Sequence, residues 1–591
     1  MTSPRDTVLH ALRQVTLIDP HTHINPHDPA SHTLADLLGY HYYTELAHAS
    51  GMPKDAIESP GLSPRELVER LVGGLAPLSN TAQFAWLVDI CKRFYGFEAD
   101  SVTPDNWETL YDQAETAMES ADWPTEVLRR SNVSAVFLTN DFDDPLERFD
   151  TQTYIPCLRT DDLVFHLAKP EVRDRLRGAS QIELTGSLES LRESLEQRFR
   201  HFVANGARAC AISLPPDFSP GRVSDGRAST ALQAILSQGT AADASHRAAL
   251  AKRVFWTLAE LCDHYGLPFD LMIGVNRDVY RDGVHQGRDL YDSRVSLIQY
   301  ADLFNAFPQV KFPVSVLASV TNQELVSYAW IFPNVITNGH WWYSNTPTFI
   351  RRDAAARLEA VPRNKQIGYY SDAYKLEFIA PKFDMYRRVL ADILVEDFIL
   401  GRGWDEGQAI ELGEQVLRGN VEQIFPDLGG KVAEPAITPS PAPAIVFDAP
   451  LASQESAVGE ELTVSQEPLV GEELADDDAA DQRFNDELDG EWDDELKDVE
   501  LAEVELDQDD SSEAAAALVT DPTTGELTWP TSETEPSLDD TEPSPFLLEE
   551  ADETEEPRFA PPIPDDLLET IESDEPPSTD EDDPSIGRPP Q

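Results

Sequence analysis

Along the first two thirds of the chain, apolar residues follow two patterns that take turns. Short unbroken runs rich in Val, Ile and Phe recur at Val15–Asp19, Val133–Thr139, Thr153–Leu158, Ala209–Ser213, Phe269–Ile273, Val310–Val316, Asn334–Thr337 and Ile367–Ser371. Runs of this length, bounded by turn residues, predict strands buried on both faces, as in a parallel sheet. Between them, apolar residues return every three or four positions, which predicts helices. Ser63–Leu75, Thr81–Tyr95, Leu188–Ala204 and Lys252–Tyr265 are of this kind, the last stopped by Gly266-Leu267-Pro268. Helical spacing dominates from His27 to Arg130, so a helical insertion is expected after the first strand. Eight strands alternating with helices predict a closed (β/α)8 barrel of the α/β class. An open doubly wound sheet is the competing arrangement. No Gly-rich phosphate loop follows any strand, which removes its main support.

Charge changes the picture of the domains. Of 108 Asp and Glu residues, 50 lie between Val432 and Gln591, against 4 of the 45 Lys and Arg. That segment has a net charge of −46, against −17 for residues 1–431. It is also rich in Pro, Ser and Thr, and cannot bury enough apolar surface to offset its chain entropy. Residues 1–431 are therefore expected to form the barrel, and 432–591 a disordered acidic tail whose partner the sequence does not identify. Within the tail, Gln482–Asp510 sets Phe484, Trp492 and spaced Leu and Val among acids, a pattern that could dock on a partner. The acidity and the lack of a basic patch exclude nucleic acid as a partner. The four cysteines, Cys91, Cys157, Cys210 and Cys262, are widely spaced with no CxxC, which fits reduced thiols and a cytoplasmic location. No apolar run is long enough to span a membrane, and no signal peptide stands at the N-terminus.

A barrel of this type carries its chemistry at the C-terminal ends of its strands. In Asp19-Pro20-His21-Thr22-His23, the two histidines stand two apart. In extended backbone they project to the same side and could share a metal ion. The second strand ends in Asn140-Asp141-Phe142-Asp143-Asp144 and the third in Arg159. The fifth ends in Met272-Ile273-Gly274 with Arg277 beyond, the seventh in Asn338-Gly339-His340-Trp341-Trp342, and the eighth in Asp372. Metal-type ligands, arginines and tryptophans thus share one rim.

With these anchors in place, the sequence over residues 15–425 resembles the uronate (glucuronate) isomerase family of the amidohydrolase superfamily. Asp19-Pro20-His21-Thr22-His23 resembles its Asp-x-His-x-His, and Leu38-Gly39-Tyr40-His41-Tyr42 its Gly-Asp-His-Tyr. Thr139–Leu146, Leu158-Arg159-Thr160-Asp161, Ile273–Arg277, Trp341-Trp342, Tyr370-Ser371-Asp372 and Met385–Leu390 resemble further stretches in the same order. Three positions depart from the family pattern. Met272 replaces a His, Ala373-Tyr374 replace Ser-Arg, and His340 replaces a small residue before the Trp pair. The resemblance implies that the lost His and Arg touch substrate.

The resemblance implies metal-assisted aldose–ketose isomerisation of a sugar acid, glucuronate to fructuronate in type, by proton transfer between C2 and C1. His21, His23 and Asp372 would hold one divalent ion, zinc by ligand type. Asp372 would also serve as base, with His41 and Tyr42 beside the substrate and Tyr42 as proton donor. Arg159 and Arg277 would bind its carboxylate. Trp341 and Trp342 would form an apolar wall, one of the pair facing ligand. His340 could restore the ring nitrogen lost at Met272, which leaves the fifth strand only packing or specificity. Family barrels often form homo-oligomers. A metal-dependent hydrolase or decarboxylase of the same superfamily is the first alternative, and a non-catalytic scaffold for the acidic tail the second.

Overall fold

The computed structural model describes residues 3–427. The acidic segment 432–591, with its expected disorder, lies outside the described residues. The barrel strands are β1 (Leu17–Asp19), β2 (Val133–Phe137), β3 (Tyr154–Ile155 continued by Cys157–Arg159), β4 (Ala209–Leu214), β5 (Phe269–Ile273), β6 (Phe312–Val316), β7 (Val335–Asn338) and β8 (Gln366–Ile367). Each pairs in parallel with the next, from β1 through to β8. Pro156 splits β3, since it has no N–H to give to the ladder. A short antiparallel hairpin, Val275–Asn276 with Leu290–Tyr291, stands over the fifth strand's exit.

The eighth strand is shorter than its apolar run predicts. Gly368 N donates to Val416 O at 2.8 Å, so the turn at Gln415–Gly419 takes its place beside the ladder. The ring closes one turn higher, through Asp372 N to His21 O at 3.1 Å and His23 N to Ala373 O at 2.8 Å. Ser371 N adds a bond to the Asp19 carboxylate at 3.0 Å.

The expected insertion between β1 and β2 is helical, and its helices start where capping chemistry puts them. Ser63 and Glu66 exchange side-chain and backbone bonds in a capping box, with Pro64 in the first turn of Pro64–Gly73. Thr81 caps Ala82–Tyr95, which Gly96 ends with φ of +72°. The long helix Ala244–Tyr265 starts a full two turns before the predicted Lys252, at the cap Asp243.

Alternation along the strands sorts the lumen from the outer layer. Phe269, Leu271 and Ile273 of β5 face the helices, as do Phe312, Val314 and Val316 of β6. Inside, Ile18, Ala135, Phe137, Ile155, Cys157, Ala209, Ala211, Ile336 and Ile367 form the lower lumen. Val421, Ile424 and Phe425 plug it from below. The helix Ile379–Ile393, which follows the eighth strand, carries a core stripe and buries Lys382 completely.

Candidate metal centre and active site

His21, His23 and Asp372 come together at the C-terminal rim, with one ligand atom from each within 4.8 Å of the others. His23 Nε2 stands 3.2 Å and His21 Nε2 3.7 Å from Asp372 Oδ1. For bonds of about 2.1 Å to a tetrahedral ion, ligand atoms should stand about 3.4 Å apart. The segments are tied in place by backbone. Thr22 Oγ1 donates to Phe137 O at 2.7 Å, which fixes the His-Thr-His turn on β2. Asp372 adopts φ of +53°, a left-handed conformation that Asp tolerates better than most residues. Tyr40 OH donates to Asp372 O at 3.0 Å and Lys382 Nζ to Ser371 O at 2.8 Å, which holds that turn from behind.

Hydrogen bonding sets the tautomers of both histidines. Thr139 Oγ1 gives its one proton to Thr22 O at 3.2 Å, so it accepts from His23 Nδ1 at 2.8 Å. The His23 Nε2 lone pair then faces the Asp372 carboxylate. His21 Nδ1 points at Asp270 Oδ2, 3.5 Å away, while Asn338 Nδ2 donates to Asp270 Oδ1 at 3.1 Å. That leaves His21 Nε2 as an acceptor too, and neither it nor Asp372 Oδ1 has a hydrogen-bond partner. Buried acceptors facing one another cost about 1–3 kcal/mol each. A cation between them removes that cost, so the residues present fit a divalent metal ion.

Charge in the group is lopsided. Burial pushes the Asp372 carboxyl up, but a proton on His23 Nε2, then His21 and Lys382, would outweigh it and hold the carboxyl below the usual carboxylate range, so positive charge between these groups, a proton or an ion, keeps Asp372 ionised. Burial pushes Lys382 down to about 8, although Asp372 and Asp19 favour its cation. Its ammonium sits against the rings of Tyr42 at 4.9 Å and Trp86 at 5.1 Å.

The other expected residues divide. His41 is buried, with Nδ1 2.7 Å from Glu45 Oε1 and its ring against Tyr42 at 4.3 Å and Trp342 at 5.8 Å. The Tyr42 hydroxyl is buried without a partner, and burial, then Asp372 and Glu45, push its pKa well up. Arg159 stands at the end of β3, its side chain two-fifths exposed and Nε 3.3 Å from Asp161. Arg277, half exposed, pairs with Asp289 at 2.7 Å rather than with Asp278 or Asp282. The tryptophans split. Trp341 packs on Met272, Val275, Leu317 and Tyr370, while Trp342 edges onto His41.

One expectation needs correction, and one residue stands apart. His340 lies outside the three-ligand group: its ring is 5.9 Å from Tyr386, the charge that depresses it after burial is Arg357, and both its ring nitrogens are buried without a hydrogen-bond partner. The left-handed Gly339 before it, φ +44°, has the Tyr370 ring where a Cβ would stand. The fifth strand gives more than packing. Asp270, two residues before Met272 on the same lumen face, orients His21. An acid inside an otherwise apolar strand was the signal for it. Tyr374 is the other addition. It stacks on His23 at 4.9 Å and 24°, and its charged neighbours include Arg159 and Arg277.

A family model described as glucuronate isomerase matches residues 5–417. The chain is 22% identical over 458 residues to a uronate isomerase of Cutibacterium acnes, covering 71% of this chain and 94% of that one. To a uronate isomerase of Thermotoga neapolitana it is 21% identical over 414 residues, covering 65% and 89%. The crystal structure of the Thermotoga maritima uronate isomerase superposes with a TM-score of 0.66 at 18% identity, over 71% of this chain and 97% of that one. With the family model spanning the whole barrel and its rim, the chain belongs to the glucuronate isomerase family.

Proposed function

We propose that this chain interconverts the aldose and ketose forms of a sugar acid, of which glucuronate is the type, with one zinc ion held by His21, His23 and Asp372. The observation that carries the reading is the facing of three unsatisfied or single-sided acceptors, His21 Nε2, His23 Nε2 and Asp372 Oδ1, beside an unpartnered buried phenol at Tyr42. The family match favours this over a hydrolase, a decarboxylase or a non-catalytic scaffold.

When bound, the ion would supply a Lewis acid for substrate oxygens at C1 and C2. The remaining work falls to the side chains. Arg159, with Arg277 across the mouth, binds the carboxylate and sets which carbon faces Asp372. The Asp372 carboxylate, ionised at neutral pH, takes the C2 proton. The C1 carbonyl oxygen gains a proton from the Tyr42 hydroxyl as the C1–C2 double bond of an enediol forms. Burial keeps that phenol protonated, which suits a donor. The C2 hydroxyl then returns a proton to Tyr42, and Asp372 delivers the first proton to C1, completing the ketose. His41, held at Nδ1 by Glu45, presents Nε2 to a substrate hydroxyl. Trp342 covers one side of the sugar, and Tyr374 shields His23 from bulk water.

The test is proton exchange. The purified chain, loaded with zinc and mixed with glucuronate in D2O, should place deuterium in the sugar as ketose accumulates. Tyr42→Phe should keep bound zinc and lose about 10²- to 10⁴-fold in turnover. Deuterium-free sugar with zinc bound would overturn the reading.

A further inference from the structure

A second polar cavity, of about 300 Å³, lies at the opposite end of the barrel from the metal group. Ser131 and Asn132, which immediately precede β2, form one wall, and Asn132 Nδ2 donates to Gln14 O and Val15 O just ahead of β1. Arg13, Arg93, Arg130 and Arg387 line it, each from a different helix, with Asp384 as the one carboxylate among the lining residues.

The charges do not balance inside. Asp384 is engaged by Arg13 at 2.7 and 3.0 Å, and by Arg388 at 3.3 Å. Arg93 and Arg130 pair with carboxylates of their own helices, Asp89 at 2.9 Å and Glu126 at 2.6 Å. Arg387 has no such pairing. It is 5% exposed, its Nη2 donates to Val15 O at 2.8 Å, and its Nε has no hydrogen-bond partner. The hydroxyl of Ser131, 4% exposed, also lacks a partner. Burial, then Arg93 and Arg13, push Arg387 down to about 10 despite Asp384. A buried guanidinium crowded by two others is costly to keep unless an anion joins it.

We propose that this cavity binds a phosphate group, free or as the ester of a small metabolite, through Arg387 Nε, the Ser131 hydroxyl and the guanidinium groups of Arg93 and Arg130. Phosphate carries about 1.5 to 2 negative charges at neutral pH and accepts bonds on three or four oxygens. That matches several converging guanidinium donors better than a single carboxylate does. The sugar-acid substrate is a monoanion and is expected to prefer the other end of the barrel. The site lies on different residues from the metal centre, so it stands whether or not the isomerase reading does.

The test is calorimetric titration of the full-length zinc-loaded chain with inorganic phosphate and with glycerol 3-phosphate, at constant ionic strength set with chloride. Saturable binding of one equivalent is expected, unchanged in His21→Ala. Arg93→Gln, at a partly exposed position, should weaken it about tenfold or more, and Arg387→Lys, which keeps the charge but loses the Nε donor, should do the same. Tighter binding of glycerol 3-phosphate would identify an ester as the occupant, and tighter binding of inorganic phosphate the free anion. The proposal falls if neither probe binds, or if binding disappears in His21→Ala and survives both arginine variants.

Discussion

The lumen of the barrel ends in apolar side chains on one side and in unpartnered polar atoms on the other. Below, Ile18, Phe137, Ile155 and Ile336 meet Val421, Ile424 and Phe425 in an apolar cluster. Above, Asp270 on β5, Ser315 on β6 and, two residues beyond Ile336, Asn338 on β7 put buried polar side chains into the lumen. His21 Nε2, Asp372 Oδ1 and the Tyr42 hydroxyl are left without partners. The strands themselves are the same at both ends. Only the residues at lumen positions differ, so one ring can draw its stability from one end and keep the other poised for a ligand. The upper end weakens the apo fold, since each orphaned buried group costs about 1–3 kcal/mol.

That division can be broken from either side. The largest effect is expected above. His21→Ala should lose the metal and at least about 10³-fold in turnover, as several kcal/mol of transition-state stabilisation go with the ion. Elemental analysis and a glucuronate assay read both, while the unfolding midpoint of the metal-free chain should fall modestly, because Asp270 loses its imidazole partner and a cavity opens as the orphaned Nε2 goes. Below, Phe425→Ala should cost about 3–5 kcal/mol of stability by opening a cavity in the plug. Denaturant titration measures it, and the metal content of the folded fraction should not change. If Phe425→Ala releases metal, the ends are coupled and the comparison fails. The smallest effect sharpens it. Asp270→Asn keeps the shape but sets an amide N–H against His21 Nδ1, or gives up the bond from Asn338. Metal affinity should fall about 10- to 100-fold, measured by competition with a chelator, with little change in stability.

Much of this was legible in the sequence because strand runs and the His-x-His turn are local. The apolar runs located all eight strands, and the rim residues follow from where those runs stop. The eighth strand was misjudged in length because Gly368 bonds to Val416, a partner 48 positions away that no local pattern announces. The surroundings of His340 were not legible for a similar reason: Gly339 at φ +44° breaks the strand alternation just before it. Asp270 is legible only through the two-residue period, which puts it on one face with Met272, and not from the strand's last residues. Lys382 could have been noticed as a cation on the buried stripe of Ile379–Ile393. Of its partners, Ser371 O lies 11 positions back across the turn, but Tyr40 comes from 342 positions away.

The closing of the ring has a consequence for the chain as a polymer. β1 and β8 share few backbone bonds, and the ones that join them run through His21, His23, Ser371 and Asp372. An ion held by His21, His23 and Asp372 would therefore staple a loop of roughly 350 residues, since Ser371 and Asp19 stand 352 positions apart. Like any crosslink over a long loop, it removes freedom chiefly from the unfolded chain. The first and last strands of the barrel are then the place where it would unzip, and an ion bound there for the chemistry would also be its clasp.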